Sequence, residues 1–193
     1  MAVLSLANLD GSNGFRLDGV SENDYLGTSV SNAGDVNGDG FDDFIIGAPR
    51  DNSNGLFSGA SYVVFGKASG FEATMSLSNL NGSNGFRLAG IATYGGAGIS
   101  VSSAGDVNGD GFDDVIVGSP AVDPNGNFSA SSYVVFGKTA GFAATLDLTS
   151  LDGSNGFRLD GVSGFRWGGS VSNAGDVNGD GFADVIIGAP GAD

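Results

Sequence analysis

The sequence predicts an all-β protein built from repeated four-stranded sheets, and three observations carry that expectation. Twenty of the 22 acidic residues are aspartates and glutamine is absent, so polar helix formers are scarce, while 36 glycines supply turns. The chain also repeats itself. Gly-Ser-Asn-Gly-Phe-Arg-Leu occupies 11–17, 82–88 and 153–159, and Tyr-Val-Val-Phe-Gly-Lys occupies 62–67 and 133–138, a spacing of 71 residues in each case. Finally, Phe44-Ile45-Ile46 and Tyr62-Val63-Val64-Phe65 are continuous apolar runs, which suits strands covered on both faces.

A fixed period of this size marks stacked structural units. Within one period the strands are expected at about 28–33, 43–48, 61–66 and 84–89, separated by turn-rich stretches. Four-stranded antiparallel sheets arranged radially make a β-propeller, whose closed ring usually needs roughly four to eight blades. Read as one segment over 1–193, the chain divides into repeats of about 1–71, 72–142 and 143–193. The third is incomplete, giving about 2.7 blades. The expectation is therefore a segment of a longer propeller, or a chain that completes a ring or filament by self-association.

Composition excludes several function classes. A net charge of −15, with only seven scattered cations, opposes binding to a phosphate backbone, so no nucleic-acid partner is expected. Without cysteine there is no disulfide frame or thiolate metal site, and without histidine the usual general base and transition-metal ligand is missing. No apolar run approaches a membrane span, and Met1 to Asp10 has no basic start followed by a long apolar stretch, so a signal for export is expected to lie outside this chain or to have been removed. Cations are the partners such a charge attracts.

The repeated block Asp35-Val36-Asn37-Gly38-Asp39-Gly40-Phe41-Asp42-Asp43 offers oxygens at loop positions 1, 3, 5, 7 and 9, with glycine at 6 for a sharp turn. That spacing wraps a hard cation, and calcium suits a flexible set of five or more oxygens better than magnesium does. The expected ligands are the side chains of Asp35, Asn37, Asp39 and Asp43 with the Phe41 carbonyl. The same pattern gives Asp106, Asn108, Asp110, Phe112 and Asp114, and then Asp176, Asn178, Asp180, Phe182 and Asp184. Three calcium sites per chain follow. Position 8 is Asp42 and Asp113 but Ala183 in the third copy, so it is left out of the shell. An EF-hand does not fit, because Ile46 stands where the bidentate glutamate belongs and strands flank the loop. The competing account is a set of solvated Asx turns without metal. Against it stands the electrostatic cost of three carboxylates within nine residues.

The block Asp-Val-Asn-Gly-Asp-Gly-Phe-Asp-Asp followed by Phe-Ile-Ile-Gly-Ala-Pro resembles the FG-GAP repeat of integrin α-chain propellers and their bacterial relatives, over essentially the whole chain. The resemblance implies a calcium loop between the first and second strands of each blade, on the fifteen residues named above. Departures lie outside that shell: the Phe-Gly pair is Leu26-Gly27, Ala97-Gly98 and Trp167-Gly168, and Gly-Ala-Pro becomes Gly-Ser-Pro at 118–120.

The remaining candidates favour structural roles. Arg16, Arg87 and Arg158 recur at one position and are expected to cover strands or pair with acids rather than grip an anion. Trp167 aligns with Leu26 and Ala97, which favours packing over sugar stacking. Gly95 to Gly98 has no following Gly-Lys-Ser/Thr, which argues against a phosphate cradle. No nucleophile–histidine pair can be assembled and the paired aspartates are better used as calcium ligands, so no enzymatic role is expected. The reading is a calcium-bound scaffold for adhesion, extracellular or at the cell surface, with a second copy and protein or glycan ligands as partners. The alternatives are a carbohydrate-binding or enzyme-accessory module, and an engineered propeller fragment.

Overall fold

The computed structural model describes residues 5–120, 130–139, 141–161 and 169–189. The first blade is an antiparallel meander of β2 (Val30–Gly34), β3 (Asp43–Ala48), β4 (Ala60–Val64) and β6 (Gly85–Ala89). The second repeats it with β7 (Ser100–Gly105), β8 (Asp114–Ser119), β9 (Ser131–Val135) and β11 (Gly156–Asp160). The described part of the third is the hairpin of β12 (Ser170–Gly175) and β13 (Asp184–Gly188). The strands expected from the sequence stand within two residues of these positions in the first blade.

Two further strands are legible only in three dimensions. β5 (Thr74–Ser76) pairs parallel to β1 (Arg16–Asp18), and β10 (Thr145–Asp147) pairs parallel to β6. Each period thus sends a three-residue strand back to the outermost strand of the preceding unit, clasping neighbours together. Three residues are too few to show a period, and their partners lie 58 residues away in register, as for Arg16 and Thr74. A single 3-10 turn follows each clasp, at Leu77–Asn79 and Leu148–Ser150. Its N-cap side chain, Ser76 or Asp147, accepts the free amide of the turn.

The continuous apolar runs are explained by stacking. In β3, Ile45 faces the second blade and Ile46 faces away from it. Ile45, Val63 and Phe86 pack with Val101, Val117 and Tyr133 in one buried cluster between the first two blades. Ile116 and Val134 meet Val171, Val185 and Ile187 between the second and third. The first strands β2, β7 and β12 stand side by side, as they do around a propeller axis.

Every first strand ends in a β-bulge, between Asn32 and Gly34, Ser103 and Gly105, and Asn173 and Gly175. The glycines take φ of +74°, +69° and +71°, a left-handed conformation in which glycine carries no Cβ penalty. The bulge re-aims the chain out of the sheet and into the aspartate loop.

Candidate functional site

All three aspartate loops fall between the first and second strands of their blades and share one hydrogen-bonded frame. In the first loop the Asp35 carboxylate accepts from the amides of Asp39 at 3.0 Å and Gly40 at 2.8 Å. The Asn37 oxygen accepts the Asp39 amide at 2.9 Å, its amide nitrogen donates to the Asp39 carboxylate at 3.0 Å, and Asp39 accepts from Phe41 at 3.0 Å. Asp106, Asn108 and Asp110 repeat these bonds, with Gly111 donating to Asp106 at 2.9 Å. Asp176, Asn178 and Asp180 repeat them again, with Gly181 donating to Asp176 at 2.9 Å. The Gly181 amide, together with Gly179 and Asp180, holds the Asp176 carboxyl below its usual range. The oxygens at positions 1, 3 and 5 are thus gathered on one turn by its own amides.

The ninth residue is placed differently. Asp43 and Asp114 are buried, and each carboxylate is shared between two amides: Val36 and Gly66 for Asp43, Val107 and Gly137 for Asp114, all at 2.8–2.9 Å. Each carboxylate ties the loop to the segment that follows the third strand. Burial pushes Asp43 up to about 6 and Asp114 up to about 7, against the opposing pull of those amides. Asp184 accepts from Val177 at 2.9 Å. Among the described residues no three carboxylates stand together as a ready-made metal cage. The donor chemistry nevertheless fits a hard cation, because an ionised carboxylate has about four lone-pair sites and the amides use only part of them.

The eighth position, set aside on the sequence, works between blades. Asp113 reaches back to the first loop, where its carboxylate accepts the Asp35 amide at 2.9 Å, while its own amide donates to the Asp35 carbonyl at 3.3 Å. Ala183 keeps only the second of these, donating to Asp106 at 2.9 Å. The Phe at position 7 is a link as well: the Phe112 and Phe182 rings lie where a Cβ on Gly38 and Gly109 would stand. Nothing in a single repeat shows this, because both partners belong to different periods.

The arginines pair with acids, as the sequence suggests, but in two ways. Arg16 binds Asp18 at 2.8 Å and Arg158 binds Asp160 at 2.7 Å, both at the surface. In the middle repeat Ala89 stands where those acids do, and Arg87 turns inward to Asp51 at 2.7 Å, beside the Tyr62 hydroxyl. Burial raises the Asp51 carboxyl, but Ser53 and Arg87 outweigh it and hold the group below its ordinary value. Gly95 to Gly98 forms a turn into β7, with the Ser119 hydroxyl donating to the Gly95 carbonyl at 2.8 Å. Trp167 lies outside the described residues.

One exposed cluster escaped the sequence reading. The Arg50 guanidinium lies 4.0 Å over the Tyr25 ring and 5.4 Å from Phe57, which meets Tyr94 edge-on at 5.8 Å. These residues come from three separate connections, and Tyr25, Phe57 and Tyr94 all have positive φ.

The repeat, the bulged first strand and the loop between first and second strands match a known family model. The model of the FG-GAP repeat matches residues 26–64, 97–135 and 167–193. The chain belongs to the FG-GAP repeat family. Its all-β sheets are propeller blades of that family. Among similar proteins, integrin alpha-4 of Xenopus laevis is 31% identical over 176 residues, covering 91% of this chain and 15% of that protein. Integrin alpha-6 of Gallus gallus is 29% identical over 172 residues, covering 89% and 14%. Integrin alpha-IIb of Mus musculus is 32% identical over 186 residues, covering 92% and 16%. The FG-GAP chain therefore spans about one-sixth or less of the length of these relatives.

Proposed function

We propose that this chain is a calcium-stabilised FG-GAP propeller scaffold without catalytic activity, acting in adhesion outside the cell or at its surface and associating with further copies of itself. The observation that carries the reading is the threefold recurrence of one amide-organised loop that holds two aspartates and an asparagine in a fixed register. In each loop the ion would be held by the aspartates at positions 1, 5 and 9, the asparagine at 3 and the carbonyl at 7. When bound, it supplies positive charge to a crowded acidic turn. Three such ions would offset six of the fifteen net negative charges. Millimolar extracellular calcium suits weak loops of this kind. The adhesive role draws on the similarity to integrin α chains and on the exposed Arg50, Tyr25 and Tyr94, residue types that dominate protein-interface energetics.

The experiment is thermal and urea unfolding in millimolar calcium and in excess chelator, with calorimetric titration of the metal. The expected result is about three sites per chain. At about ten times its dissociation constant, each adds about 1.4 kcal/mol of stability. Equal stability in both media, with no heat of binding, overturns the calcium reading.

A further inference from the structure

The cluster around Arg50 breaks the repeat. Shifted by the 71-residue period, Arg50 meets Ala121, Tyr25 meets Gly96 and Tyr94 meets Asn23, and only Phe57 meets its like, Phe128. The cluster stands at the end of the strands opposite the aspartate loops, where the connections entering β2, joining β3 to β4 and entering β7 converge. Tyr25, Pro49, Arg50, Phe57, Tyr94 and Ile99 line an open cleft there of about 380 Å³, a size toward the lower end for ligand sites.

The cleft is shaped by its own backbone. Tyr25, Phe57 and Tyr94 take φ of +57°, +53° and +63°, a left-handed conformation that is costly for aromatic residues and persists only where surrounding bonds fix it. Those bonds are present. The Tyr94 amide donates to the Leu56 carbonyl at 2.6 Å, the Gly96 amide to the Phe57 carbonyl at 2.9 Å and the Arg50 amide to the Asp24 carbonyl at 3.1 Å. The Asn52 side chain accepts the Phe57 amide at 2.8 Å. In this frame the Tyr25 and Tyr94 rings stand 52% and 58% exposed.

Arg50 differs from Arg16, Arg87 and Arg158, which each pair with an aspartate. Among the described residues no carboxylate lies within ion-pair distance of it. Its exposed guanidinium stacks 4.0 Å over Tyr25 instead. Stacking fixes the plane, so the N–H fork meets a carboxylate with little side-chain freedom left to lose. The walls favour a protein over a sugar. Besides Arg50 and the tyrosine hydroxyls, the cleft offers mainly apolar surface and the Thr28 hydroxyl, which already donates to the Tyr25 carbonyl at 2.7 Å. That leaves too few polar groups for a ring of hydroxyls. A net charge of −15 repels a polyanion, so the carboxylate must belong to an otherwise uncharged or basic segment.

We infer that this cleft docks a protein partner through a segment carrying one carboxylate beside an apolar side chain. Arg50 takes the carboxylate as a bidentate pair, and Tyr25, Phe57 and Tyr94 cover the apolar side chain. The inference rests on the adhesive reading above and names the surface and the partner's chemistry.

Selection from a displayed library of random heptapeptides tests it, on the immobilised wild-type chain and on Arg50→Gln, both in millimolar calcium. Peptides enriched on wild type are expected to place a single Asp or Glu beside Phe, Tyr or Leu. In calorimetric titration the best of them should bind Arg50→Gln and Tyr94→Ala at least about tenfold more weakly. Its carboxylate-to-amide version should lose as much on the wild-type chain, a measurement that depends on no variant's folding. Lys67→Gln removes the same charge at the opposite end of the blades and is expected to bind like wild type. Peptides enriched equally on wild type and Arg50→Gln, or enriched without an acid, place adhesion elsewhere and overturn the cleft. No enrichment on either chain overturns the cleft and the adhesive reading together. Uronate-bearing glycans captured on an array in place of peptides overturn the protein partner.

Discussion

Ile116 and Ile186 occupy the same place in the second strand of successive blades, and their neighbours are nearly identical in sequence. The first is wholly buried and the second 60% exposed. The strand conformation is the same and each pairs with its first strand, Ile116 opposite Ser102 and Ile186 opposite Ser172. What differs is the neighbour: the hairpin of β12 and β13 covers Ile116, and among the described residues no blade covers Ile186. Burial here belongs to the junction between repeats rather than to the residue or its strand. Stability should follow neighbours in the same way, as in other repeat proteins.

The strongest way to break that comparison uses the repeated arginine. Arg87→Ala leaves the buried Asp51 carboxylate without its partner and is expected to cost about 3–5 kcal/mol in urea unfolding. Arg158→Ala removes a surface pair and is expected to cost less than about 1 kcal/mol. The same site sets a pH dependence. Because the folded Asp51 pKa lies below its unfolded value, its contribution is present above the ordinary carboxylate range and lost as pH falls through the folded value. Urea midpoints measured down to about pH 3 should therefore fall less steeply in Asp51→Asn than in wild type.

Next comes the isoleucine pair itself. Ile116→Ala is expected to cost about 2–5 kcal/mol by opening a cavity in a closed core, and Ile186→Ala only about 0.5 kcal/mol in the monomer. Equal losses would mean that Ile186 is covered in solution. The smallest contrast is at loop position 8. Asp113→Ala deletes the acceptor for the Asp35 amide and is expected to cost about 1.5 kcal/mol. Asp42→Ala, whose carboxylate among the described residues meets only the Asn32 side-chain amide at 3.4 Å, should leave the unfolding midpoint nearly unchanged.

Much of this architecture was legible locally. The 71-residue period, the four main strands and the loop register are properties of short segments, and the blades keep them. The clasp strands β5 and β10 were not, because three residues carry no periodicity and their pairing is entirely long-range. Asp113 was set aside because Ala183 lacks a carboxylate, which bears on a shared ion but not on a contact to the blade before. The Arg50 cluster was equally hidden, since its aromatic partners come from connections far apart in sequence.

By itself, the sequence determined the main strands of each blade and the turn that holds two aspartates and an asparagine in register, since glycine, asparagine and aspartate preferences act within a few residues. Only the tertiary structure decided which aspartates are buried, which arginine turns inward and which isoleucine is covered. Those outcomes depend on desolvation and packing by the neighbouring repeat, and no single repeat contains its neighbour.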